Sequence, residues 1–466
     1  MGEAGDPVAQ GRRVRWLLAL ILLVAAVPRL AWLGSAPPAL HPDEAATAAD
    51  ALELPRAALS FAHERGGRVE GTYTWLAWPG LRLARATGTS LEVAARLPAA
   101  LAGIALVAAS FALGRGLGGA GLGLAAALVV ALLPWGWHFS RLALRATLVP
   151  TLVVAGLALW TGAPSRGRLL AGGLLLGLGA ATYPPARLLI PPLALAAWFA
   201  LRRERREILL GLGPSLLVFV ALLPWTLWGG GSERVDAVAI WRAERPLRGF
   251  AKTYGGHFAP RFLFGGSSSR GFAPEGVGLV PHWLIPLLIA GLLDAFRRCR
   301  RDRRAALLLV WIALFPLAAA LTQGGPNALR AVLGLPALGL LAAWGARAGW
   351  RALAGQPRLR AGLLVALALV GGVEQARLAR AYFVTHPREQ GHFYRIGSRE
   401  LVWALAERAR RGEGSECREE FLGAYLRLYA PSLATEREGE RWRIGPGPTR
   451  WTFQRSREGR VLRSPR

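Results

Sequence analysis

Residues 16–34 read WLLALILLVAAVPRLAWLG, and a few residues later the chain continues HPDEAATAADALEL (41–54). The first run has the roughly 20-residue apolar length that crosses a bilayer as a helix. The second places two adjacent acids, Asp43 and Glu44, just past its end. Read locally, HPDE is a helix start. Pro42 suits the first helical position, and acids in the first turn complement the positive end of the helix dipole.

The apolar run is repeated along the chain, as AGLGLAAALVVALLPWGW (120–137) and ILLGLGPSLLVFVALLPWTLW (208–228) among others. Eleven candidate spans result, at 16–34, 91–113, 119–137, 147–163, 168–184, 186–201, 208–228, 281–296, 305–321, 330–348 and 359–374. The first run is long and lacks a clean cleavage site before a soluble domain, so it is read as a span and not a signal peptide. Of the 466 residues 53% are hydrophobic, and 57 Lys+Arg against 29 Asp+Glu give a net charge of +28. Such basicity in a soluble chain points to nucleic acid. Here the spans exclude that class.

The basic residues sort by position. GRRVR (11–15), APSRGR (163–168), RRERRE (202–207), RRCRRDRR (297–304) and the run from Arg347 through QPRLR all fall on one side when the N-terminus is cytoplasmic. That is the positive-inside pattern. It places 35–90, 229–280 and 375–466 on the outer face. Cys299 and Cys417 then lie on opposite sides. The expected organisation is a cytoplasmic tail (1–15), a transmembrane domain (16–374) and a small C-terminal extracytoplasmic domain (375–466). The outer loop 35–90 is expected to hold two juxtamembrane helices, 42–54 and 69–88. The first would lay Ala45, Ala49 and Leu52 on the membrane with Asp43, Asp50 and Glu53 facing away, and Trp75 and Trp78 would anchor the second at the interface.

The outer-face turns carry cations and a tyrosine in place of acids: His138, Arg141 and Arg145 in WHFSRLALRAT, Arg187 beside Tyr183 in ATYPPARLL, and Arg330 in TQGGPNALRAV. Any one arginine there can snorkel to headgroups. As a set on the outer side they oppose the topology rule, and a phosphate suits their forked donors. In the loop 229–280, the Gly/Ser-rich stretch reads as a mobile segment able to close over substrate, with His257 and Arg261 as substrate-binding candidates. In the tail, GERWRIGPGPTRWTFQRSREGRVL (439–462) alternates as strands do. The tail reads as a basic cap for anionic lipid or an acidic acceptor.

The order of HPDEAATAADAL, an acid-bearing second juxtamembrane segment, AARLPAALAGIALV (94–107), WHFSRLALRATLVP (137–150), LGLGAATYPPARLLIPPL (176–193) and GGPNALRAVLGLPALGLLAAWG (324–345) resembles a known family. It is similar to the bacterial polyprenyl-phosphate-dependent glycosyltransferases of the GT-C superfamily, which include protein O-mannosyltransferases and the aminoarabinose transferases acting on lipid A. The resemblance covers most of residues 10–400. Its most specific parts are the Asp-Glu pair, RLP and FSR.

The resemblance implies an all-α polytopic GT-C fold in a bacterial inner membrane, with its active site on the extracytoplasmic face. It implies a polyprenyl-phosphate-linked sugar donor and a protein, lipid or glycan acceptor, with membrane lipids as neighbours and no nucleic acid. Asp43 would be the catalytic base, supported by Glu44, and Glu70 would contact substrate, although the Lys-Pro that relatives carry after this acid is replaced here by EGTYTW. No His/Cys cluster has metal-ligand spacing, so no cofactor is expected, although acids beside a phosphate can hold a divalent ion. The chemistry needs both halves of this layout. A carboxylate takes the acceptor proton, and cations stabilise the departing phosphate. The main alternative is a lipid or solute transporter or flippase, which is expected to carry ionisable residues near mid-membrane on paired broken helices.

Overall fold

The computed structural model describes residues 7–53, 60–62, 68–163, 165–201, 207–227, 239–266, 274, 276–418, 421–433, 435–438, 441–444, 452–456 and 459–463. Helix occupies part of every expected span. The helices in chain order are α1 (Pro7–Leu30), α2 (Pro42–Leu52), α3 (Thr72–Thr87), α4 (Leu91–Gly118), α5 (Ala120–Leu132), α6 (Pro134–Phe139), α7 (Leu148–Thr161), α8 (Arg166–Thr182) and α9 (Pro184–Ala200). They continue as α10 (Ile208–Gly211), α11 (Gly213–Leu227), α12 (Pro246–Gly256), α13 (Pro260–Leu263), α14 (Ile285–Arg298), α15 (Arg303–Leu314) and α16 (Leu317–Ala320). The last are α17 (Gly334–Ala352), α18 (Pro357–Arg380), α19 (His386–Glu389), α20 (Ser398–Arg410) and α21 (Leu422–Tyr429).

Three stretches among the described residues are long and apolar enough to cross a bilayer: Leu91–Gly118, Arg303–Ala320 and Pro357–Glu389. The chain is therefore a multi-pass membrane protein. Some of the other expected spans are broken into shorter helices. The span at 119–137 divides at Leu133, which is extended and precedes Pro134. The reason is local, since proline disfavours helical backbone in the residue before it.

The contacts divide the chain into two compact units. The first comprises Met1–Ala31, Ala99–Arg141 and Arg145–Ala379. Within it α7 packs on α8, α8 on α11, α1 and α17 on α5, and α14 on α17. The last pair approaches so closely that a Cβ at Gly345 would strike the Leu287 carbonyl, and one at Gly291 the Leu341 carbonyl. Small residues that let backbones meet are the usual means of joining helices in a membrane, where lipid removes the hydrophobic drive between them. Trp344 Nε1 donates to Asp294 across the same pair at 2.9 Å.

The second unit comprises Trp32–Pro98, Leu142–Leu144 and Arg380–Arg466. The C-terminal stretch thus shares a unit with Trp32–Pro98. Strands are present here, so the description all-α needs correction. The strands are β1 (Ser60–Ala62), β2 (Arg68–Glu70), β3 (Ser415–Arg418), β4 (Thr435–Glu438), β5 (Arg441–Ile444), β6 (Thr452–Ser456) and β7 (Gly459–Arg463). β1 and β2 form an antiparallel pair, β3-β5-β4 an antiparallel sheet, and β6–β7 a further antiparallel pair. The expected mobile Gly/Ser segment falls on 267–273, which lie outside the described residues, as do 228–238.

One juxtamembrane expectation changes. α2 lies against both α3 and α21, and Ala45, Ala49, Leu52 and Asp50 are all buried. Its apolar face is covered by protein and does not lie on lipid. α3 keeps the expected character, with Trp75 and Trp78 both exposed and their rings 6.4 Å apart.

Candidate active site

HPDE begins α2 as its chemistry demands. His41 is the N-cap, its Nδ1 accepting from the Asp43 amide at 3.2 Å. The Glu44 carboxylate reaches back to accept the His41 amide at 2.9 Å, which completes a capping box with Pro42 at the first helical position. A histidine here does the work usually given to serine or threonine.

The two acids then part company. Glu44 is fully buried. Arg96 grips it bidentately, Nε to Oε1 at 3.0 Å and Nη2 to Oε2 at 3.1 Å. The Ala143 amide donates to Oε1 at 2.8 Å. Together with the His41 amide, both carboxylate oxygens carry two hydrogen bonds each, which fills the lone-pair positions of a carboxylate. Arg96 is equally occupied. Its remaining donors go to the carbonyls of Leu33 at 3.1 Å, Pro37 at 2.8 Å and Ala39 at 2.6 Å. A charge pair taken out of water persists only when its other donors and acceptors are satisfied, and this one is. Glu44 therefore holds the turn 33–44 in place, with its four lone-pair positions already occupied.

Asp43, one residue earlier, retains 30% side-chain exposure, with its Oδ2 3.9 Å from His41 Nδ1. It is the more exposed acid of the pair. Glu70 ends β2 and is buried, with Ser60 as its strand partner.

The cations lie in the first unit, and their local ties differ. His138 is buried on α6. Arg141 is fully buried and donates to the Pro28 carbonyl. Arg29 is buried with it, bonded to the carbonyls of Ala25 at 2.8 Å and Ala131 at 3.3 Å. The backbone at Gly103 makes room for this arrangement, since a Cβ there would meet Ser140 and Arg29. The Arg145 guanidinium lies 5.7 Å from the centre of the Tyr183 ring. Arg187, one turn into α9, donates to the Ala180 carbonyl at 3.2 Å and to Thr226 Oγ1 at 3.1 Å.

His257 is a buried tie between two loops. Its Nδ1 lies 2.7 Å from the Thr253 carbonyl, which requires a proton on Nδ1, and its Nε2 accepts the Asn327 amide at 3.2 Å. Burial holds this imidazole below its ordinary pKa, against the opposing pull of those two backbone bonds. Asn327 Oδ1 in turn accepts the Arg330 amide at 2.9 Å, and Arg330 Nη1 donates to Thr322 Oγ1 at 2.6 Å. His257 thus sets the loop that carries Arg330. Arg261 is an exposed residue of α13. Among the described residues, no group of three or more His, Cys, Asp or Glu side chains is placed to hold a metal ion.

Sequence reasoning named Glu44 but not its partner Arg96, which it quoted only inside RLP. It also passed over Arg29. Both are charged residues set in apolar runs, and that rarity is itself a signal.

Residues 72–228 match the family model of dolichyl-phosphate-mannose-protein mannosyltransferases. No curated protein matches the chain. Among solved structures, the apo oligosaccharyltransferase of Archaeoglobus fulgidus is similar with a TM-score of 0.50 at 14% identity, over 84% of this chain and 58% of that one. The same enzyme, AglB, in complex with an inhibitory peptide and a dolichol-phosphate gives 0.50 at 12% identity, over 85% and 58%. ArnT from Cupriavidus metallidurans bound to undecaprenyl phosphate gives 0.48 at 18% identity, over 89% and 74%. This chain spans 58% of the length of the archaeal enzymes. Its fold is similar to that of the archaeal oligosaccharyltransferase.

Proposed function

We propose that this chain is an inverting glycosyltransferase of a bacterial inner membrane, moving a sugar from a polyprenyl-phosphate carrier to an acceptor on the extracytoplasmic face. Asp43 takes the proton from the acceptor hydroxyl as that oxygen bonds to the anomeric carbon. The bond from that carbon to the phosphate oxygen breaks, and the lipid phosphate leaves with the electron pair. Arg141, Arg145, Arg187 and Arg330 hold the phosphate as its charge grows, which is where preorganised cations contribute most. Arginine supplies this stabilisation without metal, so we expect transfer to survive chelation. Glu44 and His257 act indirectly, by fixing the turns that carry Asp43 and Arg330. Glu70, His138, Tyr183 and Arg261 are candidates for substrate contact.

The observation that carries the reading is the division of labour in the Asp-Glu pair. One acid is consumed by structure and its neighbour is left accessible at the first turn of a pinned helix. The sequence match to mannosyltransferases that use dolichyl phosphate, and a fold shared with an enzyme that binds dolichol-phosphate, support the donor class.

The test is to incubate the purified protein with labelled polyprenyl-phosphate sugars and a membrane extract, with and without chelator. Asp43→Asn should lower kcat about 10²- to 10⁴-fold, the range for loss of a general base, with unchanged thermal stability. Full activity in that variant removes Asp43 from the role. Substrate flux in vesicles without any transfer would favour a flippase.

A further inference from the structure

The reaction as proposed assigns nothing to the C-terminal residues, and it leaves Asp50 and Glu53 unexplained. Those two acids stand in the last turn and at the C-cap of α2, three residues apart. Both placements are unfavourable for an isolated helix. Acids at a C-terminus oppose the dipole, and like charges three apart repel. The fold offsets this with one arginine from far along the chain. Arg427 of α21 donates from Nη2 to Asp50 Oδ1 at 2.7 Å and to Glu53 Oε2 at 2.6 Å, and from Nε to Glu53 Oε2 at 2.9 Å. These two carboxylates hold the Arg427 guanidinium well above its ordinary pKa, although burial works the other way.

The opposite end of α2 is held by the same helix. Tyr425, buried, donates from its hydroxyl to the Leu40 carbonyl at 2.7 Å, one residue before the His41 cap. α21 is itself fastened on two further sides. Arg85 of α3 donates to the Leu428 carbonyl at 2.7 Å, and the Tyr429 hydroxyl donates to Glu92 at 2.9 Å. Burial, together with Glu92, pushes the Tyr429 phenol above its ordinary pKa, so it stays a donor.

We infer that α21 is a strut for the Asp43 helix, with Tyr425 and Arg427 as positioning residues that grip its two ends. The inference rests on the reading of Asp43 as the base. Asp43 lies between the two grips on a single rigid helix, three residues after Leu40 and seven before Asp50. A tilt permitted by loss of either grip moves its carboxylate relative to the acceptor oxygen. On this view residues 422–429 belong to the catalytic framework, and the C-terminal stretch is more than a basic cap for lipid.

The experiment uses the full chain in lipid nanodiscs and two readouts. Hydrogen exchange of the amides of 40–53 reports the position of α2 without any substrate. Steady-state transfer from labelled polyprenyl-phosphate sugars to acceptor in a membrane extract reports kcat and KM separately. Arg427→Ala should speed exchange across α2 and lower kcat about 10- to 100-fold, as a misplacement near 1 Å does. Donor KM should stay within about twofold, because the groups that hold the phosphate are untouched. Arg427→Lys, which keeps the charge but not the fork, should fall between. Arg411→Ala serves as control, since Arg411, at the C-cap of α20, pairs locally with Glu407 of that helix. Should Arg427→Ala not fold, Tyr425→Phe removes a single oxygen and should still speed exchange at the start of α2 and lower kcat.

Wild-type exchange in Arg427→Ala or, if that variant does not fold, in Tyr425→Phe overturns the strut whatever the activity. Faster exchange with wild-type kcat overturns the positioning role. Absence of transfer by the wild type overturns the reading of Asp43, and the exchange measurement then still decides whether α21 holds α2.

Discussion

Arg96 and Arg330 carry the same side chain and do opposite things with it. In the second unit Arg96 is fully buried, its charge cancelled by Glu44 and all five of its donors taken. In the first unit Arg330 is half-buried and rests on the hydroxyl of Thr322 at 2.6 Å and the carbonyl of Gln323 at 3.4 Å. Neutral oxygens orient a guanidinium without cancelling its charge. The neutralised arginine therefore fixes backbone, and the one held by dipoles still attracts an anion. The same contrast separates the acids. Glu44 is fully buried and spent on four hydrogen bonds, whereas Asp43 keeps part of its side chain exposed, as the proposed base must.

The comparison breaks most readily at Arg96. Arg96→Ala strands a buried carboxylate and should destabilise the second unit by about 3–5 kcal/mol, the usual cost of removing one partner of a buried pair. Thermal unfolding in nanodiscs would register this, and an unchanged midpoint would mean that the pair does not hold the turn. Glu44→Gln sharpens the point. It keeps acceptor oxygen for the amides but loses the charge, so it should cost stability while leaving a measurable kcat, whereas Asp43→Asn should lose kcat and keep stability. If both variants lose activity equally without destabilisation, the proposed division between the two acids is wrong.

A smaller effect is expected at the other pole. Arg330→Ala should weaken donor binding about 10-fold, consistent with a charge-assisted hydrogen bond worth roughly 1.5–3 kcal/mol. Its thermal midpoint should move little. A loss that grows weaker as salt is raised would confirm that the lost term is electrostatic.

The smallest concerns pH. His257 is buried as the neutral imidazole, with its folded pKa below the unfolded value. Below the ordinary histidine pKa the unfolded chain binds more protons than the folded one, so stability falls as pH falls through that range. Above it the contribution is fully present. The wild type should therefore lose stability more steeply than His257→Gln as the pH falls below about 6.5, the ordinary histidine value. Parallel unfolding midpoints for the two proteins as the pH is lowered would show that His257 does not titrate as described.

Much of this was legible in the chain. The helix start at HPDE needed only Pro42 and the acids that follow, and α2 begins there. The spans needed only apolar length. α3 needed its tryptophans and the break at Gly88, whose left-handed backbone closes the helix. The breaks inside several spans were harder to see, because a single X-Pro step interrupts a helix without changing its hydropathy. The covering of α2 was harder still. An Ala-rich face reads the same whether lipid or protein lies on it, and the answer sits in residues 422–429, hundreds of positions away.

By itself the sequence determined that this protein spans a membrane many times, and it singled out an acid pair and a set of arginines near the ends of its apolar runs. Those are consequences of length, apolarity and local helix rules, which act over a few residues. Only the tertiary structure decided which acid is structural and which accessible. It also decided which arginine is neutralised, and that Tyr425 and Arg427 grip the ends of the Asp43 helix. Each of these depends on a partner distant in sequence, and a charge has no role until the group that faces it is known.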